Sequence, residues 1–375
     1  MTKKIAVIAG DGTGPEVIRE AIKVLDEAQK HYNFALSYSH LNYDGDRYLT
    51  EGKTLEDHEL DQLKQFDAIL LGAIGHPDIK PGVLERGILL KLRFGLDQYI
   101  NLRPVKLYEN VETPIKHKNH HDIDYVVVRE NTGGLYTGVG GSSMTGTSQE
   151  VAIQSMVYSY SQVERCVRFA FEYVMKRHSD SPWRGLSHAD RQSGFIGKLT
   201  LCGKSNVLQH VFGLWERVVS ELSVEFPQVK TDYVHVDAMC IYMIECPEKY
   251  DVIVTENMFG DIITDLAAVT QGGMGVAASG NINPLGVSMF EPIGGTAPAF
   301  TGRNEINPMA AIGAAHMMLE HLGFQEAARA IETAKIAVIL KMKSMAAAQM
   351  GYSTSDIGTM VSNLVRDNAR VTQSN

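Results

Sequence analysis

The sequence contains few cysteines, and none of them has the spacing of a metal or redox pair. Cys166, Cys202, Cys240 and Cys246 are scattered along the chain without a CxxC motif. This distribution excludes a disulfide framework and a typical zinc site. We therefore expect reduced thiols and a cytoplasmic location.

The chain also lacks a basic excess and any apolar run long enough to span a bilayer. Its formal net charge is −9, which argues against a general binder of nucleic acid or of anionic membranes. The first residues, MTKKIAVIAGDG, enter a strand-like run directly, so we expect no signal peptide. With 375 residues the chain is long for one core, and any anionic substrate requires a local cluster of Arg or Lys.

Short apolar runs bounded by Gly or Asp alternate with amphipathic stretches, which indicates an α/β architecture. The candidate strands are 4–10, 67–75, 124–130, 198–204, 232–239 and 251–257. The candidate helices are 15–31, 84–94, 160–176, 206–222, 308–321 and 325–348. Residues 131–150 are rich in Gly, Ser and Thr and predict a hairpin or an extended arm, whereas the polar residues 178–197 predict a surface excursion.

A glycine-rich turn follows the first strand and opens the first helix. It reads GDGTGPE over residues 10–16, which is GxGxG and lacks the GxGxxG spacing of a dinucleotide fingerprint. This spacing predicts a tight turn between the strand and the helix.

Two carboxylates stand four residues apart in the apolar segment TENMFGDIITDL. If a helix begins near Gly260, Asp261 and Asp265 lie on one helical face. The helix dipole or plain exposure explains such a pair as well as a site for Mg²⁺ or Mn²⁺ does. Asp237 is a third carboxylate, in a run that reads as a strand, and a buried carboxylate needs a partner.

Three arginines lie at the ends or flanks of apolar runs. Arg93, Arg103 and Arg129 could together clamp a dicarboxylate, or each could form a separate surface ion pair. Tyr136 follows Arg129 by seven residues, and Lys204 ends a candidate strand. Each of these residues alone is uninformative, but three Arg, three Asp, one Tyr and one Lys together indicate a catalytic site.

In order along the chain, the motifs resemble those of the β-decarboxylating dehydrogenases, the isocitrate/isopropylmalate dehydrogenase family. They are GDGTGPEV, LRFGLDQYINLRPVKLY, VVVRENTGGLYTG, KSNVL, HVDAM, TENMFGDIITDLAA, EPIGGTAPAFTG and INP. The resemblance implies a two-domain α/β fold, different from the Rossmann fold, with a large mixed sheet flanked by helices. It implies a cofactor-binding domain from 1–100 and 253–375, and a substrate and dimerisation domain from 101–252 with an arm near 131–150.

The activity implied by the resemblance is metal-dependent oxidative decarboxylation of a 3-substituted (2R,3S)-malate with NAD reduction, such as 3-isopropylmalate to 2-oxoisocaproate. Asp261, Asp265 and the Asp237 of a second copy would bind Mg²⁺ or Mn²⁺. Lys204, also from the second copy, would be the general base and Tyr136 the proton donor. The resemblance therefore implies a homodimer with shared active sites, in which Asp237 is both a metal ligand and a catalytic residue.

The resemblance also implies the contacts of substrate and cofactor. The substrate-binding residues would be Arg93, Arg103 and Arg129 for the carboxylates, with Leu89, Leu90 and Val207 facing an apolar substituent. The cofactor-binding residues would be Asn257, Glu291, Gly294, Gly295, Ala297 and Asn307.

The sequence departs from the family pattern in the adenosine loop. Gly294 replaces a family His, and Ala299 replaces the Asp that would bind the ribose hydroxyls. No cationic residue takes the place of that Asp, which favours NAD, whereas the nearby Arg303 keeps NADP open.

The second departure concerns substrate choice. The pocket Glu of the family, seven residues before Arg93, falls on Arg86, with Glu85 one place earlier. Either the helix is shifted by one residue, or Arg86 enters the pocket and suits an acidic substituent as in homoisocitrate. D-malate, tartrate and 3-benzylmalate are further alternatives. A catalytically retired regulatory subunit would have lost some of the Asp, Tyr and Lys residues, and this chain retains all of them.

Overall fold

The structure is a computed structural model and describes residues 2–373. Contacts divide the chain into two compact units. The first unit consists of Met1–Gln98, Lys106–His120 and Ala268–Asn375, and the second consists of Tyr99–Val105 and His121–Ala267.

The N-terminal part of the first unit alternates strands and helices. Residues Ile5 to Ile8 of the first strand are fully buried, as expected for a central strand with apolar residues on both faces. The elements are β1 (Thr2–Gly10), α1 (Gly14–His31), β2 (Ala35–His40), α2 (Gly45–Glu51), α3 (Asp57–Leu63), β3 (Ala68–Ala73), a π-helical turn (Glu85–Leu90) and α4 (Lys91–Gly95).

The second unit contains seven strands and five helices among its described residues. The elements are β4 (Ile100–Lys106), β5 (Asp124–Glu130), β6 (Gly140–Ser143), β7 (Val151–Gln154), α5 (Tyr160–Arg177), α6 (His188–Gln192), β8 (Gly197–Gly203), α7 (Gln209–Glu225), β9 (Val229–His235), α8 (Val236–Glu245), β10 (Val252–Thr255) and α9 (Asn257–Thr270).

The C-terminal part returns to the first unit. The elements are β11 (Ala278–Ile282), β12 (Ser288–Pro292), α10 (Met309–His321), α11 (Gln325–Ile339) and α12 (Thr354–Gln373). Helix α10 is apolar on nearly every face and is almost wholly buried, which is the pattern of a central core helix.

Each unit has a layer of hydrogen-bonded strands. In the first unit the strand order is β2-β1-β3-β12-β11, parallel except for the antiparallel pair of β11 and β12. In the second unit the order is β4-β5-β10-β8-β9, and β5, β10, β8 and β9 run parallel. The predicted α/β class with a mixed sheet and flanking helices is therefore confirmed.

The predicted elements are found with shifted boundaries. The arm is an antiparallel pair of strands, β6 and β7, as the Gly-rich composition predicts. Helix α11 ends at Ile339, so the predicted helix over 325–348 is too long. The predicted strand over 232–239 is wrong beyond His235, because Val236 begins α8. A short apolar run does not distinguish a strand from a buried helix. The strands β2, β4, β11 and β12 and the helices α2, α3, α6, α8 and α12 were not predicted.

Within the described part of the chain, no helix is long and apolar enough to cross a membrane.

Candidate active site

Arg129 is the centre of a polar cluster in the second unit. It is the penultimate residue of β5, and its side chain is 1% exposed. Its Nε and Nη2 donate to Oδ1 of Asn257 at 3.0 and 2.8 Å. A Cβ at Gly260 would lie 2.4 Å from the Arg129 Cγ, so glycine at this position of α9 lets the arginine stem pack against the helix.

Asp261 joins this cluster from the second turn of α9. Its Oδ1 accepts from Nη1 of Arg129 at 2.5 Å, and its Oδ2 accepts from the hydroxyl of Tyr136 at 3.0 Å. Partial burial would raise the pKa of Asp261, but the charge of Arg129 and the hydrogen bond from Tyr136 outweigh it and lower the pKa. Asp261 is therefore a carboxylate at neutral pH, and the structure brings Arg129, Tyr136 and Asp261 together.

Two buried groups behind this cluster fix the start of α9. The Glu256 carboxylate accepts from the backbone N–H groups of Met258 and Phe259. The Tyr158 hydroxyl donates to Glu256 at 3.1 Å and accepts from the Asn257 N–H at 2.9 Å. Burial raises the pKa of both Glu256 and Tyr158. This cap holds the helix that carries Asp261.

Asp265 lies one turn further along α9 and is exposed. Asp261 and Asp265 share a face, as their spacing predicts, although the helix begins at Asn257 rather than near Gly260. Their hard oxygen donors fit Mg²⁺ or Mn²⁺.

Arg103 lies on β4 and is buried, with Nε donating to Oδ1 of Asn101 at 2.8 Å. Its charge also contributes, as the smallest cause, to the lowered pKa of Asp261. Two of the three predicted arginines, Arg103 and Arg129, therefore both lower the pKa of Asp261 in the second unit.

Lys204 and Asp237 form an ion pair in the second unit. The hydrogen bond from Lys204 lowers the pKa of Asp237. Asp237 stands in the first turn of α8 and its side chain is mostly exposed. The expectation of a buried carboxylate in a strand was therefore wrong, because the strand ends two residues earlier. Val207 lies in the turn after Lys204 and is also exposed.

In the first unit, Arg93 of α4 lies beside Glu291 of β12. Arg93 Nη2 is 3.5 Å from Oε1 of Glu291, and this oxygen also accepts from Nδ2 of Asn281 at 2.8 Å. Both Arg93 and Glu291 are largely buried. The structure thus pairs a predicted substrate residue with a predicted cofactor residue.

A π-helical turn precedes Arg93 and bears on the position of the pocket Glu. Leu89 packs partly into the hydrophobic core and Leu90 is half-buried, whereas Arg86 is exposed. Since a π-turn contains one residue more than an α-turn, Glu85 rather than Arg86 comes into register with Arg93. Glu85 itself accepts from the Gly82 N–H at 2.8 Å. This geometry favours the one-residue shift over entry of Arg86.

A cavity of about 340 Å³ lies in the first unit, mostly with apolar walls. Its walls include four of the six predicted cofactor residues, namely Gly294, Gly295, Ala297 and Asn307. Asn307 also donates to the Met345 carbonyl and accepts from the Met309 N–H at the start of α10. Mostly apolar walls with a few polar groups suit a heterocyclic ring.

The other two predicted cofactor residues are placed elsewhere. Glu291 pairs with Arg93, and the Asn257 side chain is occupied by Arg129 and by the Gly133 carbonyl, to which it donates at 3.1 Å. Asn257 is buried, so the observed role of its side chain is to orient Arg129.

Gly294 and Ala299 are the two positions where the sequence departs from the family pattern, and the space around Gly294 does not require a glycine. A Cβ at Gly294 would meet nothing within 4 Å, so a larger side chain would fit. Ala299 is exposed in the 3₁₀ turn Pro298–Phe300, and Arg303 is exposed as well.

Sequence reasoning missed Glu256, Tyr158 and Asn101, which orient the arginines and α9. Glu256 lies between a buried strand and a helix, but Glu is not among the residues favoured at an N-cap, so its capping role has no clear signal in the sequence. Tyr158 carries no local signal, because its partners are about 100 residues away in sequence.

The fold and these clusters define an α/β enzyme class, with a ring-sized cavity in one unit and an Arg–Asp–Tyr cluster in the other. The sequence pattern of the isocitrate/isopropylmalate dehydrogenase family matches residues 4–364. The chain belongs to this family.

Individual members of this family are similar to the chain in sequence and in structure. A 3-isopropylmalate dehydrogenase of Thermobifida fusca is 46% identical over 335 residues, 89% of this chain and 90% of that protein. One of Bifidobacterium longum is 47% identical over 345 residues, 92% and 94% of the two chains. The crystal structure of isocitrate dehydrogenase from Methylococcus capsulatus superposes with a TM-score of 0.82 at 30% identity, covering 97% of this chain and 99% of that chain.

Proposed function

We propose that the protein oxidatively decarboxylates 3-isopropylmalate to 2-oxoisocaproate with reduction of NAD. The observation that carries the proposal is the cluster of Arg129, Asp261 and Tyr136, in a chain about 47% identical to proteins named 3-isopropylmalate dehydrogenase. The cluster combines an anion-binding guanidinium, an ionised carboxylate and a phenol. These are groups that bind a carboxylate substrate, hold a cation and deliver a proton.

Asp261 and Asp265, with Asp237 from a second copy, would hold Mg²⁺ or Mn²⁺. When bound, the cation would supply Lewis acidity at the C2 oxygen of the substrate. Arg129 lowers the pKa of Asp261 and so keeps this ligand ionised at neutral pH.

Three arginines would bind the two carboxylates of the malate. Arg103 and Arg129 are buried and already oriented by Asn101 and Asn257, so little side-chain entropy is lost when an anion binds. Arg93 is oriented by Glu291. Leu89, Leu90 and Val207 would contact the 3-substituent, and partial exposure leaves apolar surface on each of them.

Two side chains would move protons. Lys204, in its neutral form, would take the proton of the C2 hydroxyl, and Asp237 beside it would orient the amine. Tyr136 would protonate the carbon from which CO₂ leaves, and its hydroxyl is held at Asp261.

The cavity of the first unit would receive the adenosine end of NAD. When bound, NAD would supply the hydride acceptor through its nicotinamide ring. We assign the cofactor-binding domain to the unit that contains this cavity. NADP is the second candidate, because the exposed Arg303 lies in the same loop as Ala299.

We also propose a homodimer, and the exposed apolar side chains of the second unit carry this proposal. Ile241 and Ile244 of α8 are 53% and 44% exposed, and Ile262 of α9 is 51% exposed. Val151 and Ile153 of the hairpin are similarly exposed. Such a surface is typical of an interface, and a second copy would also supply Lys204 and Asp237. A cytoplasmic location and a role in leucine biosynthesis complete the proposal.

The test is a parallel assay of 3-isopropylmalate, homoisocitrate, D-malate, tartrate and 3-benzylmalate, each with NAD and NADP and with Mg²⁺ or Mn²⁺. We expect the highest kcat/KM for 3-isopropylmalate with NAD and no turnover after chelation. Preference for another malate would reject the substrate assignment, and no turnover with any of them would reject the enzyme assignment.

A further inference from the structure

The glycine-rich turn GDGTGPE has no catalytic role in the scheme above, yet it contacts the loop that forms one wall of the cavity. The Thr13 N–H and Oγ1 both donate to the Thr296 carbonyl, at 2.9 and 3.2 Å. A Cβ at Gly12 would lie 2.2 Å from the same carbonyl oxygen, so glycine is required for this close approach. The first turn of α1 therefore holds the beginning of the loop.

Glu16 holds the other end of the same loop. Its buried carboxylate accepts from the Gly302 N–H at 2.5 Å and from the Asn304 N–H at 3.1 Å. Thr13 is the N-cap of α1 and Glu16 lies three residues later in its first turn, and their partners span residues 296–304. One helical turn thus binds both ends of the loop.

The loop needs such external contacts, because its backbone is not relaxed. Ala297 has φ 41° and Asn304 has φ 58°, and a side chain in the left-handed region is disfavoured. The start of α12 also contributes, since the Thr354 N–H donates to the Asn304 carbonyl. Among the described residues, the Glu16 carboxylate is the charged group that accepts from these two amides.

We infer that Glu16 is a positioning residue for the cofactor. Glu16 keeps loop 296–304 in the conformation in which Gly294, Gly295 and Ala297 form the cavity wall, and Thr13 assists it. This inference depends on the proposed use of the cavity by a dinucleotide. Glu16 does not line the cavity itself, so its effect is on the loop and not on the ligand directly.

The Glu16→Gln variant tests this inference. Glutamine keeps one acceptor and turns an NH₂ group toward a backbone N–H, so one of the two hydrogen bonds is lost. Because the lost bond has a charged acceptor, we expect the Kd for NAD, measured by calorimetry on the full-length protein, to rise about tenfold. The KM for NAD should rise by a similar factor, with kcat and the Kd for Mn²⁺ within about twofold of wild type.

Glu20→Gln is the matched control. Glu20 is buried one turn further along α1, but its carboxylate pairs with Lys23 and contacts Gly358 of α12. This variant loses a buried charge without touching the loop, and we expect an unchanged Kd for NAD. Thr13→Val, which removes the hydroxyl bond to Thr296 and leaves the Thr13 N–H bond in place, should weaken NAD binding by a smaller factor, although Thr13 also lines the cavity.

Amide hydrogen exchange separates the possible results. Faster exchange at Gly302 and Asn304 in Glu16→Gln, with α10 unchanged, is the expected result. Wild-type affinity in Glu16→Gln overturns the inference, and so does an equal loss in Glu20→Gln. If the wild-type protein binds neither NAD nor NADP, the cofactor assignment itself fails and the inference fails with it.

Discussion

Nη1 of Arg129 lies 2.5 Å from Oδ1 of Asp261, and the other carboxylate oxygen of Asp261 accepts from Tyr136. A guanidinium that is 1% exposed is thus neutralised by a carboxylate whose side chain is 49% exposed. The buried partner is fixed and the exposed partner is accessible. This asymmetry suits a carboxylate that must also bind a cation from solvent.

The first prediction concerns this carboxylate. Asp261→Asn should lower metal-dependent kcat by about 100-fold or more, because a neutral amide is a poor ligand for a hard cation. Asparagine still offers an oxygen to Arg129 but no longer neutralises its buried charge, so we expect the free energy of unfolding to fall by about 3 kcal/mol. Turnover assays, Mn²⁺ titration and urea denaturation measure these effects. A variant that keeps its Mn²⁺ affinity but unfolds easily would mark the pair as structural.

Lys204 is expected to act in the chemical step. Lys204→Ala should reduce kcat by about 10²- to 10⁴-fold with little change in the Kd for NAD, because it removes the proposed base. Lys230→Ala is the control, since Lys230 pairs with Asp190 at 2.8 Å, as Lys204 pairs with Asp237, and has no place in the proposed site. Near-normal kcat in Lys204→Ala would remove its assigned role.

The apolar surface of α8 should control assembly. Ile241→Glu places a charge on a side chain that is already half exposed, so the fold of one chain should persist. We expect light scattering to show monomers in place of dimers and activity to fall, since Lys204 and Asp237 are needed across the interface. Leu285→Glu, at the exposed hairpin between β11 and β12, should remain dimeric. A monomeric and active wild-type protein would contradict the shared site.

The register of the π-helical turn predicts which residue selects the 3-substituent. Glu85→Ala should change the kcat/KM ratio between 3-isopropylmalate and homoisocitrate, by about tenfold for a change of one side chain in a pocket. Arg86→Ala should leave this ratio unchanged, because Arg86 is exposed. The reverse pattern would show that Arg86 enters the pocket.

A buried ion cluster in the first unit predicts a pH-dependent stability. Glu332 of α11 lies 2.7 Å from Lys335 and accepts from the Tyr108 hydroxyl at 3.1 Å, with His316 and Lys106 each at 3.8 Å. Burial would raise the pKa of Glu332, but Lys335 and the other cations lower it from 4.5 to about 2.

Since the folded-state pKa is the lower one, the stabilisation is present above about pH 4.5 and is lost as the pH falls toward about 2. Glu332→Gln should cost about 2–3 kcal/mol at pH 7 and progressively less as the pH is lowered through this range, by urea denaturation. Glu326→Gln, exposed on the same helix, is the control. A difference that does not change with pH would contradict the assigned pKa.

The sequence predicted some elements and residues of this protein well and others poorly. The order of motifs identified the family, and the alternation of apolar runs gave the α/β class and most of the central elements. Asp237 shows where this reasoning fails, because the apolar residues around it suit a strand and a helix equally well. At Arg86 the sequence left two alternatives open, and the π-turn favours the one-residue shift, because such a turn changes the register of a helix and has no reliable signal in the sequence.

What the sequence by itself determined is the chemical inventory: the three arginines, the Asp pair at helical spacing, and the family that uses them. These depend on residue types and on short spacings, which local geometry fixes. The tertiary structure decided which groups meet. It joined Asn257 to Arg129, Tyr158 to Glu256 and Glu16 to a loop nearly 300 residues away. Such contacts depend on how distant segments pack, and no local spacing encodes them.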